Sequence, residues 1–233
     1  MRTFILSAII LLTASGAAAR QDEAPRTLDP NLLPAEGAKP ADFVPRGWKT
    51  ETGEGVVTGD LNRDGAADAV LRLVEDLPTQ NAEGVYNTRY RALVVLFAKP
   101  GGGFSRAAVA TKLLGCSLCF GVLGDPEGGN IQVEIEKGVL NVSQLSGSRE
   151  ARDHTLRFRH DAASGRFRLI GEELSEYDRL EANGGSTSTN YLTGVRVAKT
   201  SRTLRGGREV SSTRTTRVPR TTRFIEDVDY EKQ

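Results

Sequence analysis

Short aliphatic and β-branched runs, broken by glycine and polar clusters, fill the chain from about Trp48 onward. They read GVVTGD, DAVLRLV, YRALVVLFA, FSRAAVAT, IQVEI, VLNVS, HTLRFRH, RFRLIG and YLTGVRVA. Each has strand length, and none carries an apolar stripe at helical spacing over about twelve residues. The punctuation fits hairpins: KPGGG at Lys99–Gly103, EKG at Glu136–Gly138 and DAASG at Asp161–Gly165 each join two such runs. Strands joined by short turns are antiparallel by geometry. The expected class is therefore all-β, a sandwich or an open meander with little helix.

Alternation predicts the buried faces. In HTLRFRH, His154, Leu156, Phe158 and His160 share one side, while Thr155, Arg157 and Arg159 share the other. The run ALVVLFA, residues 92–98, is apolar at both parities, as a middle strand covered on two faces would be. GEELSEYDRLEA reads either as a short helix or as a solvated acidic face.

At the N-terminus Arg2 precedes the apolar FILSAIILL, and AAA at Ala17–Ala19 is a small-residue cleavage pattern. Residues 1–19 thus read as an export signal, which places the mature protein in a periplasm or outside the cell. Residues 20–45 hold five prolines with mixed charge and no periodicity, so they are expected to form a Pro-rich linker. A β-rich domain is expected over 46–200. An Arg/Thr-rich C-terminal tail is expected over 201–233.

Composition adds little: 38% hydrophobic, 26% charged and a formal net charge of +1 are near globular averages. The charge is unevenly spread. Arg202, Arg205, Arg208, Arg214, Arg217, Arg220 and Arg223 sit among Ser and Thr, as an exposed ribbon or a flexible arm. Such a segment either stays solvated or attracts an anionic envelope polymer or surface. Nucleic acid is not the expected partner, because no stacking aromatics are interleaved.

The chemistry-bearing stretch is GDLNRDGAAD, Gly59–Asp68. Asp60, Asn62 and Asp64 alternate, Gly65 permits a sharp turn, and Asp68 follows. Calcium takes six to eight hard oxygens, and alternate residues of a curling loop aim theirs at one point. Asx-rich turns use the same residue types without a metal. Leu71 stands where an EF-hand has its bidentate Glu, which excludes that motif. GDLNRDGAADAVL resembles the calcium loop of FG-GAP or VCBS-type repeats, in which DxNxDGxxD joins two strands. That resemblance implies a structural calcium ion held by Asp60, Asn62, Asp64, Asp68 and the Ala66 carbonyl. A single copy is present, so a propeller is not implied.

Cys116 and Cys119 form CSLC, expected in an exported protein as a local disulfide. The other reading of CxxC is redox activity, which needs a thiolate activated at a helix N-terminus. Here Gly121, Gly124 and Pro126 follow too soon for such a helix. Zinc shared with His154 and His160 lacks a recognised spacing, and no GxSxG, Walker, HExxH or SxxK sequence is present. The reading is an exported, non-catalytic β-rich module with a binding or envelope-structural role. Its alternative is an exported enzyme, either a thiol-disulfide oxidoreductase or a calcium-assisted hydrolase.

Overall fold

The computed structural model describes residues 27–53, 55–181, 183–204 and 206–232. The proposed export signal lies outside them. The described chain is all-β, built of antiparallel strands in two sheets. The first sheet contains β1 (Glu36–Gly37), β2 (Trp48–Thr50), β3 (Val56–Gly59), β4 (Asp68–Glu75), β5 (Arg91–Ala98) and β6 (Phe104–Ala110). Its order is β1-β6-β5-β4-β2, with β3 also paired to β4. The second sheet runs in strict sequence from β7 (Ile131–Glu136) through β8 (Val139–Gly147), β9 (Glu150–Asp161), β10 (Arg166–Asp178), β11 (Gly184–Asn190) and β12 (Val195–Thr203) to β13 (Glu209–Arg217).

The period-two pattern explains the core between the sheets. Val70 of β4 and Leu93 and Val95 of β5 face Val133, Leu140, Val142, Leu156, Phe158, Phe167 and Leu169 of the second sheet. In β9, Leu156 and Phe158 point inward as the alternation predicts, and β5 is a middle strand, buried from Ala92 to Leu96. Because β5 is apolar on both faces, its outer face needs a second cover. Leu28, Leu33 and Phe43 supply it, packing on Ala69, Leu71, Leu73, Ala92, Val94 and Leu96.

Two boundaries expected from the sequence are therefore corrected. The described part of the segment read as a linker, residues 27–45, is a packed layer. Glu36–Gly37 pairs with β6 as β1. Asp29 caps the 3-10 turn Pro30–Leu32, and Asp42 accepts from the Ala38 and Lys39 amides at 2.8 and 3.1 Å. The prolines set short turns whose intervening apolar residues reach the sheet.

The C-terminal segment is likewise no separate tail. Residues 201–203 complete β12, β13 pairs with it along its length, and Ile225 and Val228 enter the inter-sheet core. Leu169 N donates to Arg223 O at 3.0 Å, and the Arg166 guanidinium lies 3.8 Å over the Phe224 ring. The acidic GEELSEYD is the outer half of β10 rather than a helix.

One irregularity matters below. The β9–β10 register shifts between Leu169 and Gly171, so Ile170 is an extra residue that reverses the inward parity of β10. Phe167 and Leu169 face the core before it, whereas Glu172, opposite Leu156, faces inward after it.

The packed N-terminal layer is testable. Phe43, fully buried, should cost about 3–5 kcal/mol when replaced by Ala, as for other buried aromatic truncations. Urea unfolding measures this; a loss below about 0.5 kcal/mol is what a loose linker would give.

Candidate functional site

The loop joining β3 to β4 holds every residue of the expected calcium set. Its curl comes from left-handed backbone at Arg63, φ 66°, and Gly65, φ 87°, the second being a conformation glycine adopts without strain. The side-chain oxygens stand on the loop's own amides. Asp60 Oδ1 accepts from Arg63 N at 2.6 Å and Oδ2 from Gly65 N at 3.0 Å. Asn62 Oδ1 accepts from Asp64 N at 3.0 Å, Asn62 Nδ2 donates to Asp64 Oδ2 at 2.8 Å, and Asp64 Oδ1 accepts from Ala66 N at 2.8 Å. The Ala66 amide, then the Asn62 side chain, hold the Asp64 carboxyl below its ordinary range.

Asp68 differs from the others. It is fully buried, and its carboxylate collects Leu61 N at 2.8 Å, Asn62 N at 3.3 Å and Ala98 N at 2.9 Å. It ties the start of the loop to the end of β5. Hard oxygens at alternate positions suit calcium chemically, and a carboxylate has lone pairs beyond those given to one amide. In the amide-bonded arrangement, however, no three His, Cys, Asp or Glu side chains among the described residues converge on a common metal position. The loop also touches the second sheet: Arg63 Nη2 donates to Lys137 O, in the β7–β8 turn, at 3.0 Å.

A second polar centre lies deep between the sheets. Glu51 Oε1 accepts from Arg91 Nε at 2.6 Å, and its Oε2 accepts from Arg72 Nε at 2.8 Å. All three side chains are nearly inaccessible. The remaining guanidinium donors reach backbone carbonyls of residues 115–131. Arg72 holds Ile131 O and Gly128 O at 2.9 and 2.8 Å; Arg91 holds Gly115 O and Pro126 O at 3.1 and 2.9 Å. Arg89 adds Pro126 O at 2.6 Å and the Glu127 carboxylate at 3.1 Å. Burial pulls the Arg91 pKa down, and Glu51 opposes that shift. A side chain on Gly128 would meet Arg72 and Glu51 at 2.6 Å, so the loop backbone lies directly on the pair.

The third centre follows from the bulge. Inward-facing Glu172 meets buried His154 Nε2 at 2.9 Å and accepts from Tyr191 Oη at 2.5 Å. The His154 hydrogen bond is the chief cause holding Glu172 down at about 2, while burial first and Glu172 second push Tyr191 up to about 12. Glu172, on the strand paired with β9, is thus the partner of His154. The second histidine is separate: His160 stacks edge-on against Phe97, with centroids 4.9 Å apart.

Cys116 and Cys119 form the disulfide, with Cα atoms 5.0 Å apart. A three-residue 3-10 turn, Gly121–Leu123, follows them where a redox CxxC would start its helix. Gln144, buried on β8, clasps the preceding segment through Gly115 N and Leu113 O. A cavity of about 60 Å³ beside the disulfide is lined by Tyr90, Arg91, Lys112 and Tyr230 among others; it has room for water rather than for a ligand of the usual 300–1,000 Å³ size. The inter-sheet arginines and the His154–Glu172 pair were not legible from motif spacing. The signal for the arginines was Arg72 inside DAVLRLV and Arg91 inside YRALVVLFA, charges set in runs buried on two faces.

Two outcomes are expected. Glu51→Ala should destabilise by about 3–5 kcal/mol, since it strands two buried guanidiniums; the urea midpoint checks this. Glu172 has a depressed folded pKa, so its stabilisation is complete above about 4.5 and is lost as pH falls through about 2. Glu172→Gln should flatten that part of the stability–pH curve, and an equally steep curve in the variant would exclude the linkage. Comparison with protein-family models, with curated proteins and with solved structures finds no match to this chain.

Proposed function

We propose that this chain is an exported, non-catalytic β-rich module in which a structural calcium ion sets the Asp60–Asp68 loop, with a binding or envelope-structural role. The carrying observation is the placement of the loop. Alternating oxygen-bearing side chains curl around Gly65 while Arg63, at the loop tip, bonds the β7–β8 turn of the opposite sheet. The resemblance to FG-GAP or VCBS-type loops supports the same reading, with Asp60, Asn62, Asp64, Asp68 and the Ala66 carbonyl as ligands. An ion there would set the position of Arg63 and so strengthen the junction between the sheets. The disulfide is compatible with an oxidising periplasmic or extracellular location. Among the described residues no helix is long and apolar enough to cross a membrane.

Extracellular modules of this kind bind calcium with dissociation constants on the order of 10⁻⁴–10⁻³ M. At about 10 mM calcium the linkage amounts to roughly 1.4–2.7 kcal/mol, or about 3–10 °C in melting temperature for a domain this size. Asp64→Ala should remove the increment while leaving the calcium-free melting temperature within about 2 °C, since the side chain is solvent-exposed. A wild-type melting curve unmoved by calcium would refute the reading.

A further inference from the structure

The outer two strands of the second sheet and the segment that follows them carry a charge that the rest of the chain does not. Residues 196–223 contain nine Lys or Arg and a single acid, Glu209, a net +8 in a protein whose total is +1, which leaves −7 for the remainder. Elsewhere in the fold, many arginines are spent on carboxylates. Arg72, Arg89, Arg91, Arg149, Arg157, Arg166 and Arg168 each meet a carboxylate within 4.0 Å. In the outer strands Arg196 is engaged by Thr189 and lies in the field of Glu172. By contrast, Lys199, Arg202, Arg208, Arg214, Arg217, Arg220 and Arg223 are exposed, and among the described residues no carboxylate stands within salt-bridge distance of them.

The strand register fixes where these charges sit. Arg202 is opposite Val210 and Arg214 opposite Ala198, so both side chains project from the same face. The Thr200–Ser212 hydroxyl pair, 2.8 Å apart, lies between them. Lys199, opposite Thr213, and Arg217, opposite Val195, project from the other face. β13 pairs with β12 alone among the described strands, so its far side presents unpaired backbone groups along the line of charges. On the Lys199 face a hollow crosses the strands, lined by Tyr177, Ser186, Lys199 and Ser211 and floored by Gly184 and Gly185. The Tyr177 side chain is 45% exposed there.

We propose that this cationic rim binds a linear anionic polysaccharide laid along β13, its carboxylates meeting the guanidiniums that face no protein carboxylate and its hydroxyls the Ser and Thr rows. Two observations favour this occupant. Residues 195–223 contain no aromatic side chain for base stacking, and a second copy of the same rim would bring +8 against +8. The Ser and Thr hydroxyl rows suit sugar hydroxyls. The proposal rests on the reading of the chain as an exported binding module and names its partner.

The probe is polygalacturonate, titrated by calorimetry in chelator so that calcium bridging plays no part. Fully methyl-esterified polymer and double-stranded DNA serve as comparisons. The expected result is binding to polygalacturonate that weakens steeply between about 50 and 200 mM salt through counterion release, with none to the esterified polymer. The triple variant R202Q/R214Q/R217Q should bind at least about 10-fold more weakly, with a log–log salt slope smaller by about three. Its melting curve should match wild type, because all three side chains are exposed. Equal affinity of the variant would overturn the site, and equal binding of the esterified polymer would overturn the charge recognition. Tighter binding to DNA would overturn the polysaccharide as occupant. Calcium-dependent melting of the wild-type protein separates the two proposals: polymer binding with no calcium increment refutes the calcium loop alone.

Discussion

Taking one carboxylate and two guanidinium groups out of water costs several kcal/mol per ion unless every donor and acceptor finds a partner. Glu51, Arg72 and Arg91 meet that condition through each other and through the carbonyls of Gly115, Pro126, Gly128 and Ile131. The arginines belong to the central strands of the first sheet, and the carbonyls to the segment leading into the first strand of the second. The sheets are therefore joined by directional bonds as well as by the apolar core, and an offset between them would orphan several buried charges at once. Apolar packing tolerates sliding; a forked guanidinium between a carboxylate and a carbonyl does not.

The same condition organises the loops around it. The segment carrying the disulfide is held by Arg91 at Gly115, by Gln144 at Leu113 and Gly115, and by Ser117, whose hydroxyl accepts from Arg89 N at 2.9 Å. A ring closed over four residues restricts little of the unfolded chain. Its effect here is local: it shapes the stretch on which the arginine bonds converge. The Asp60–Asp68 loop plays a comparable part at another point of the sheet interface. Asp68 anchors it from within, and Arg63 reaches across from its tip.

The strands and hairpins were legible because a half-buried strand writes its period directly into the residues. HTLRFRH and IQVEI show which side chains turn inward, and the doubly apolar ALVVLFA shows a central strand. What covers that strand's outer face was not legible. Leu28, Leu33 and Phe43 are apolar residues scattered among prolines, with no period to betray them. The C-terminal end was obscured similarly, since Ile225 and Val228 lie between an Arg-rich run and an acidic one. Glu172 shows a different limit. Its inward direction depends on one extra residue at Ile170, and strict alternation counted from Phe167 places it on the wrong face. The Asp60–Asp68 loop was legible as an oxygen-rich turn but not as a conformation, because the residue types that suit calcium also bond their own amides.

The second sheet has a consequence for how the chain moves. Each of its strands pairs with its sequence neighbour, so the meander from β7 to β13 is assembled from local hairpins with small loop-closure entropy. Strands β7 to β10 are locked to the first sheet by the core, whereas β13 is exposed along nearly its whole length. Opening can therefore begin at the rim and travel inward one hairpin at a time until it meets Thr189 and the Glu172 cluster. Amide exchange would grade along the sheet, fast at β13 and slow at β9. The rim would then be a semi-autonomous unit, able to rearrange while the two-sheet body stays closed.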